Sequence, residues 1–280
     1  MNRTMITATN TLSQLQKQMD IISNNMANID TNGFKRRDVT FTELMYQQFD
    51  NQRRADAEVN RLTPNGIRQG TGAKVAQAQL IMTQGSIKPT ERSLDTAFTK
   101  ENQLYKVLVQ SDAGSEIQYT RNGALYLSPL GENEIALVNA DGHSIVDENN
   151  NPIYINGEPK DYSIDNNGRL TVTMTNGTTQ AFNLGVVQVN KPQFLESKGN
   201  NLYGLPNNFA ALNVGMEEVL TDLVGPLRNE IGIQQNALES SNVDMAKEMS
   251  ELMNAQRAYQ FQSRSVSIAD QMLGLVNGIR

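Results

Sequence analysis

A chain of 280 residues is long enough for two domains and a sizeable core. Its 24 Lys and Arg against 30 Asp and Glu leave a net charge of −6, and its basic residues are dispersed, which excludes the concentrated basic field of a nucleic-acid binder. With no cysteine and one histidine, His143 in the turn segment Asp141-Gly142-His143-Ser144, the chain has no disulfide, thiolate zinc site, thiol nucleophile or multi-histidine metal site, and no cofactor is expected.

The first 29 residues place Met1, Met5, Ala8, Leu12, Leu15, Met19, Ile22, Met26 and Ile29 at alternating spacings of four and three, the heptad seam of a coiled-coil strand. Between Thr4 and Ile29 the only charges are Lys17 and Asp20. A solvated helix normally charges its outer face, so this one is expected to pack on several sides, although a lone antiparallel hairpin inside one globular domain fits the seam equally well. No apolar run reaches the roughly 20 residues of a membrane span, and no continuous signal-peptide core follows Arg3.

The helix runs into Asn24-Asn25-Met26-Ala27-Asn28, where Asn disfavours helix, and Asn32-Gly33 supplies a stop. Asn24, Asn25 and Asn28 either close the helix or hydrogen-bond neighbouring backbones in an assembly. Residues 35–70 read as a connector with a short amphipathic segment (Phe41, Leu44, Met45, Phe49) and a turn at Pro64-Asn65-Gly66.

Short strand-like runs then follow. Leu104–Val109 reads as a buried strand, and Asn122-Gly123 between Ile117–Arg121 and Ala124–Leu127 is a strong hairpin signal. Ile135–Val138, Ser144–Val146, Ile153–Ile155, Leu170–Met174 and Phe182–Val189 continue the series, separated by Asp141-Gly142, Asn156-Gly157, Asn167-Gly168 and Asn176-Gly177. The spacing predicts an antiparallel all-β domain over about 85–205. It contains no nucleophile elbow, P-loop or His-containing constellation, so no enzyme is expected.

After Pro206 the pattern reads as helical. Ser240–Asp244 offers an N-cap, and Met245, Leu252, Tyr259, Val266 and Leu273 recur every seven residues, with Met249, Ala269 and Val276 widening the stripe. The fold class is therefore α+β: N- and C-terminal heptad helices pairing as a coiled coil, with a central all-β antiparallel domain. The expected layout is a helix over 1–33, a connector over 34–84, the β domain over 85–205, a return connector over 206–239 and a helix over 240–280. The assembly interface is expected at Met5, Leu12, Leu15, Met19, Ile22, Asn24, Asn25, Met26, Asn28, Met245, Met249, Leu252, Tyr259, Val266 and Leu273.

Two motifs carry a family resemblance. Asn24-Asn25-Met26-Ala27-Asn28 with Thr31-Asn32-Gly33-Phe34-Lys35 resembles the N-terminal signature of bacterial flagellar rod and hook proteins. The segment Leu238-Glu239-Ser240-Ser241-Asn242-Val243-Asp244-Met245-Ala246, continuing through Ala255-Gln256-Arg257-Ala258-Tyr259 and Ala269-Asp270-Gln271-Met272-Leu273, is similar to their C-terminal signature. Gln84-Gly85, Leu94-Asp95, Tyr119-Thr120-Arg121-Asn122-Gly123 and Gly199-Asn200-Asn201-Leu202-Tyr203 also look like family landmarks.

The resemblance, most like the distal-rod branch, implies a structural subunit of the basal-body axial tube that transmits torque for motility. Its helices would line the tube and its β domain would face outward. Its partners would be itself, other flagellar axial proteins and the flagellar type III export apparatus, with export lacking a cleaved signal and with no nucleic acid or membrane insertion. One departure is Asp95-Thr96-Ala97-Phe98-Thr99-Lys100-Glu101-Asn102, which lacks the family's glycines after its Asp-x-Ala element. A secreted adhesive module oligomerised through its terminal helices is the alternative, and it should carry charge on the outer face of the first helix.

Overall fold

The computed structural model describes residues 2–43, 46–49, 67–70, 73–111, 114–131, 134–206 and 215–278. Leu44, Met45 and the expected turn at 64–66 lie outside the described residues. The chain divides into two compact units, one of residues 1–24, 38–79 and 246–280, the other of residues 25–37 and 80–245.

The first unit holds most of both long helices, α1 (Asn2–Ala27) and all but the first residue of α3 (Met245–Gly278). Thr9 and Thr11, which stand where salt-bridging charges would sit, donate their hydroxyls to the carbonyls of Met5 and Thr7, a self-contained way for a neutral face to satisfy its polar groups. The stretch expected to be a connector is largely strand where it is described. Arg37–Glu43 pairs with Ala73–Leu80, and Tyr46–Phe49 pairs antiparallel with Ile67–Gly70 in the register Tyr46↔Gly70 and Phe49↔Ile67. Its Tyr, Phe, Val and Thr content suits strands better than an amphipathic helix.

The second unit is built around the strand Gln103–Ser111. It pairs antiparallel with Gly114–Thr120 along its length, with Ser144–Ile145 near its middle, and with Val186–Val189 at its start. Leu104, Tyr105 and Val107 are fully buried, as expected of the predicted core strand. The sheet extends through Leu202–Gly204 to Glu196–Gly199 on one side and through Glu134–Val138 to Tyr154–Asn156 on the other. A separate three-stranded meander, Pro159–Ile164, Arg169–Met174 and Thr179–Asn183, turns at Gly168 (φ +73°) and Gly177 (φ +84°), where Asn-Gly was read as hairpin chemistry. Leu137, Ile153, Ile155, Leu170, Val172 and Leu184 are among the side chains closing the main core.

The structure corrects two local readings. Asn122-Gly123 is no hairpin turn, since Gly114–Thr120 pairs with Gln103–Ser111 and Leu202–Gly204, whereas Tyr126–Pro129 pairs with Glu134–Val138. Gly123 instead lets two backbones meet: Thr96 N–H donates to its carbonyl at 3.0 Å, and a Cβ there would lie 1.9 Å from the Thr96 oxygen. Helix resumes not directly after Pro206 but at Met245, and the return connector expected over 206–239 holds short elements where it is described. A single α-helical turn, α2 (Met216–Val219), and a 3-10 helix, Gly225–Glu230, accompany the strands Leu220–Asp222, Ile233–Gln235 and Ala237–Glu239, which pair with Val186–Val189, Thr96–Phe98 and Ile87–Pro89. Ile231 and Ile233 enter the same core as Phe98, so their burial overrides the local helical reading.

The strand Thr96–Phe98 also accounts for the departure around residue 100. Ile233–Gln235 covers it, Phe98 is fully buried, and Asn102 takes the left-handed conformation (φ +60°) that glycine would otherwise supply.

Candidate functional site

The signature segments converge within the second unit on one carboxylate. Glu239 ends the strand Ala237–Glu239, and its side chain is 2 % exposed. Oε1 accepts from Lys35 Nζ at 2.6 Å and from Gly85 N–H at 2.9 Å, while Oε2 accepts from Arg121 Nε at 2.6 Å. Both cationic side chains are 0 % exposed. The Glu239 backbone carbonyl takes the N–H of Gly33 at 2.7 Å. One residue thus fastens the Gly33–Lys35 loop, the Gln84-Gly85 corner and the Arg121 bend.

The cations are satisfied beyond their shared anion, as buried charges must be. Lys35 also donates to the Thr83 carbonyl at 2.7 Å. Arg121 donates to the carbonyls of Gln103 at 2.6 Å and Lys100 at 2.9 Å, and its guanidinium lies 4.8 Å from the centroid of the Phe98 ring. Burial, reinforced by repulsion from Arg121, holds the Lys35 ammonium below its usual pKa despite Glu239. The glycines are fitted to this node. Gly33 sits at φ +69° with its Cβ position 2.7 Å from the Arg121 backbone, and a Cβ on Gly85 would lie 2.0 Å from the Ser240 oxygen.

A second clasp lies beside it. Asn242 accepts the Arg36 N–H at 2.7 Å and donates to the carbonyls of Ile81 at 2.8 Å and Thr83 at 3.0 Å. It was read as part of an N-cap, but α3 begins at Met245. Asn25, one of the expected interface asparagines, is 1 % exposed and makes a two-point bond to Arg37, donating to its carbonyl at 2.8 Å and accepting its N–H at 3.0 Å. Asn28 accepts the Thr31 hydroxyl at 3.1 Å. These bonds run within the chain and close the end of α1, which stops at Ala27 and passes through turns to Gly33.

The other expected interface residues fall into two groups. On α1, Ile22 is buried and Met5, Leu12, Leu15, Met19 and Met26 are half-buried, so the seam is the covered face of the helix, while Asn24 is exposed. On α3, Leu252, Val266 and Leu273 are half-buried, but Met245, Met249 and Tyr259 are exposed. The most covered row beside Leu252, Val266 and Leu273 comprises Glu248, Ala255, Gln262 and Ala269. Met249 therefore lies off the covered seam. An outward stripe on α3 was not anticipated: Phe261 is 68 % exposed, Ile268 56 %, Met272 44 % and Leu275 70 %.

Lys35 and Arg121 face each other's counter-ion inside the protein, and among the described residues no cluster of three or more His, Asp or Glu could hold a metal ion. No described helix is long and apolar enough to cross a membrane. Sequence reasoning missed Lys35, Arg121 and Glu239 as a set, although each stands inside a motif singled out for its resemblance.

Comparison with known proteins addresses the same segments. The family described as "Flagella basal body rod protein" matches residues 5–35, and "Flagellar basal body rod FlgEFG protein C-terminal" matches residues 234–279. The chain is 44% identical over 284 residues to the flagellar hook-basal body complex protein FlhP of Bacillus subtilis (strain 168), with 100% of each chain covered. It is 34% identical over 268 residues to the flagellar basal-body rod protein FlgG of Buchnera aphidicola subsp. Acyrthosiphon pisum, covering 94% of each, and 29% identical over 278 residues to FlgG of Agrobacterium fabrum, covering 98% of each. With these similarities running end to end, the chain belongs to the flagellar basal-body rod and hook-basal body protein family.

Proposed function

We propose that this chain is a structural subunit of the flagellar rod, working without catalysis by polymerising into an axial tube that transmits torque. The observation carrying this reading is the doubly apolar α3. One face is covered within the subunit, while Phe261, Ile268, Met272 and Leu275 remain exposed on another. Large apolar side chains left contiguous on a surface mark an interaction site. A tube supplies neighbours for such a face through heterologous contacts that repeat without closing.

In this reading α1 and α3 pair as a coiled coil lining the tube, with Met5, Leu12, Leu15, Met19 and Ile22 facing Leu252, Val266 and Leu273, and the β unit faces outward. The partners are further copies, other rod and hook subunits and the flagellar type III export apparatus. The subunit works outside the cytoplasm, reached without a cleaved signal peptide. The test is swimming motility with electron microscopy of basal bodies in a strain lacking the gene, complemented with wild type or Leu15→Asp. Truncated rods that wild type restores and Leu15→Asp does not are expected. Normal rods in the deletion strain, with altered surface adhesion, would overturn the reading.

A further inference from the structure

We propose that the Glu239 node is a folding latch that keeps the β unit open until the C-terminal segment of the chain has been delivered. Lys35 and Arg121 lie 204 and 118 residues before the carboxylate that compensates them. Until that carboxylate arrives, closing the core would bury two cations with no anion between them, in positions where both side chains have no exposure. The penalty falls on the partly delivered chain and disappears when residue 239 docks.

Three further features make the same segment indispensable. Ile233–Gln235 and Ala237–Glu239 supply the partners of Thr96–Phe98 and Ile87–Pro89. Ile231 and Ile233 fill the core against Phe98. The amides of Gly33, Gly85, Thr90 and Thr99 have their acceptors at Glu239, Asn236 and Gly232. Strands from early in the chain therefore carry polar groups and apolar surface that only residues 231–243 complete.

A chain delivered from its N-terminus, by a ribosome or through a secretion channel, consequently presents an open β unit until residue 239 of 280 has emerged. Long-range closure of this kind is intrinsically late, because loop entropy is lost before the contacts that offset it form. The device concerns how the chain folds and stands or falls independently of the assembly reading.

The test is synthesis of the natural chain on ribosomes stalled at successive lengths, with brief proteolysis of the strands between residues 103 and 206. Resistance is expected to appear only when Glu239 has cleared the ribosome. In released full-length chains, Glu239→Gln should be cut at least tenfold faster than wild type. Lys35→Met, which leaves Glu239 bonded to Arg121 and Gly85, should be cut less than about fivefold faster than wild type, and always more slowly than Glu239→Gln. Resistance gained while residue 239 is still inside the ribosome would overturn the latch, as would a full-length Glu239→Gln chain as resistant as wild type.

Discussion

Glu239→Ala and Lys35→Met remove opposite ends of the same ion pair, yet they should have very different consequences. The alanine variant leaves the Lys35 ammonium and Arg121 guanidinium at 0 % exposure without their common anion and strips the Gly85 N–H of its acceptor. Breaking a buried pair from one side costs about 3–5 kcal/mol, a large part of a total stability of roughly 5–15 kcal/mol. With a urea slope of about 2 kcal/mol per molar, the midpoint should fall by about 2 M. Lys35→Met takes away a cation that burial already disfavours. It leaves Oε1 bonded to Gly85 and Oε2 to Arg121, and loses chiefly the bond to Thr83, about 1 kcal/mol. The chain has eight tyrosines and no tryptophan, so urea unfolding followed by near-ultraviolet circular dichroism reads the β unit through buried Tyr105, Tyr119 and Tyr203. Equal losses in the two variants, or a greater loss for Lys35→Met, would refute the assignment of Glu239 as the shared anion.

Three further outcomes follow from the same geometry. Gly85→Ala and Gly123→Ala place a methyl 2.0 Å and 1.9 Å from backbone oxygens and should each cost at least ~3 kcal/mol, whereas Gly131→Ala, with nothing within 4 Å, should stay within ~0.5 kcal/mol by thermal unfolding. Asn242→Ala removes bonds to Arg36, Ile81 and Thr83 and should cost about 2–3 kcal/mol, visible as faster hydrogen exchange at the Arg36 amide. Burial pushes the phenols of Tyr119 and Tyr203 up to about 12 and raises Tyr105 further. The native state therefore keeps protons that the unfolded chain releases above pH 10. The stability is fully present below pH 10 and lost as pH rises towards 12, by about 3 kcal/mol for each of Tyr119 and Tyr203 at the upper end. Lys35 and Arg228, both lowered by burial, act in the opposite sense, Lys35 as pH approaches 10.5, but they stand against four raised phenols once Tyr162 is included. Phenolate absorbance from Tyr105, Tyr119 and Tyr203, isolated by Phe substitution of the exposed tyrosines, should rise together with the loss of β structure, and ionisation of these three in a still-folded protein would contradict this.

What was legible in the chain was what is local. The seam of α1 shows in its four-three spacing because a helix presents neighbours three and four apart, and the meander turns show because Asn-Gly encodes positive φ within two residues. The misreadings share a cause. Asn122-Gly123 carries hairpin chemistry, yet its glycine answers to Thr96, 27 residues earlier along the chain. The strands between Pro206 and α3 lie in a stretch expected as a connector, and they show as strands only once their edge partners, Thr96–Phe98 and Ile87–Pro89, are known. Lys35, Arg121 and Glu239 are three charges among many, and no spacing rule joins residues 204 apart. The family resemblance marked all three segments as significant, but only the folded chain shows that they meet.

The two faces of α3 allow subunit stability and assembly to be separated by substitution. Phe261, Ile268 and Leu275 recur every seven residues, with Met272 between the last two, so they form one stripe. Glu248, Leu252, Ala255, Gln262, Val266, Ala269 and Leu273 form another, and the second is the covered one. Phe261→Lys with Leu275→Lys alters side chains that are 68 % and 70 % exposed, so the monomer should unfold within ~0.5 kcal/mol of wild type at each site. Ala255→Leu, at a residue 4 % exposed, adds three carbons to a covered position and should cost about 1–3 kcal/mol in the isolated subunit. If the outward stripe is the face that meets other subunits, the double lysine variant is a stable monomer that fails to restore rods in the deletion strain. Restoration of full-length rods by that variant would remove the stripe from the interface and leave assembly to the covered seam and the β unit.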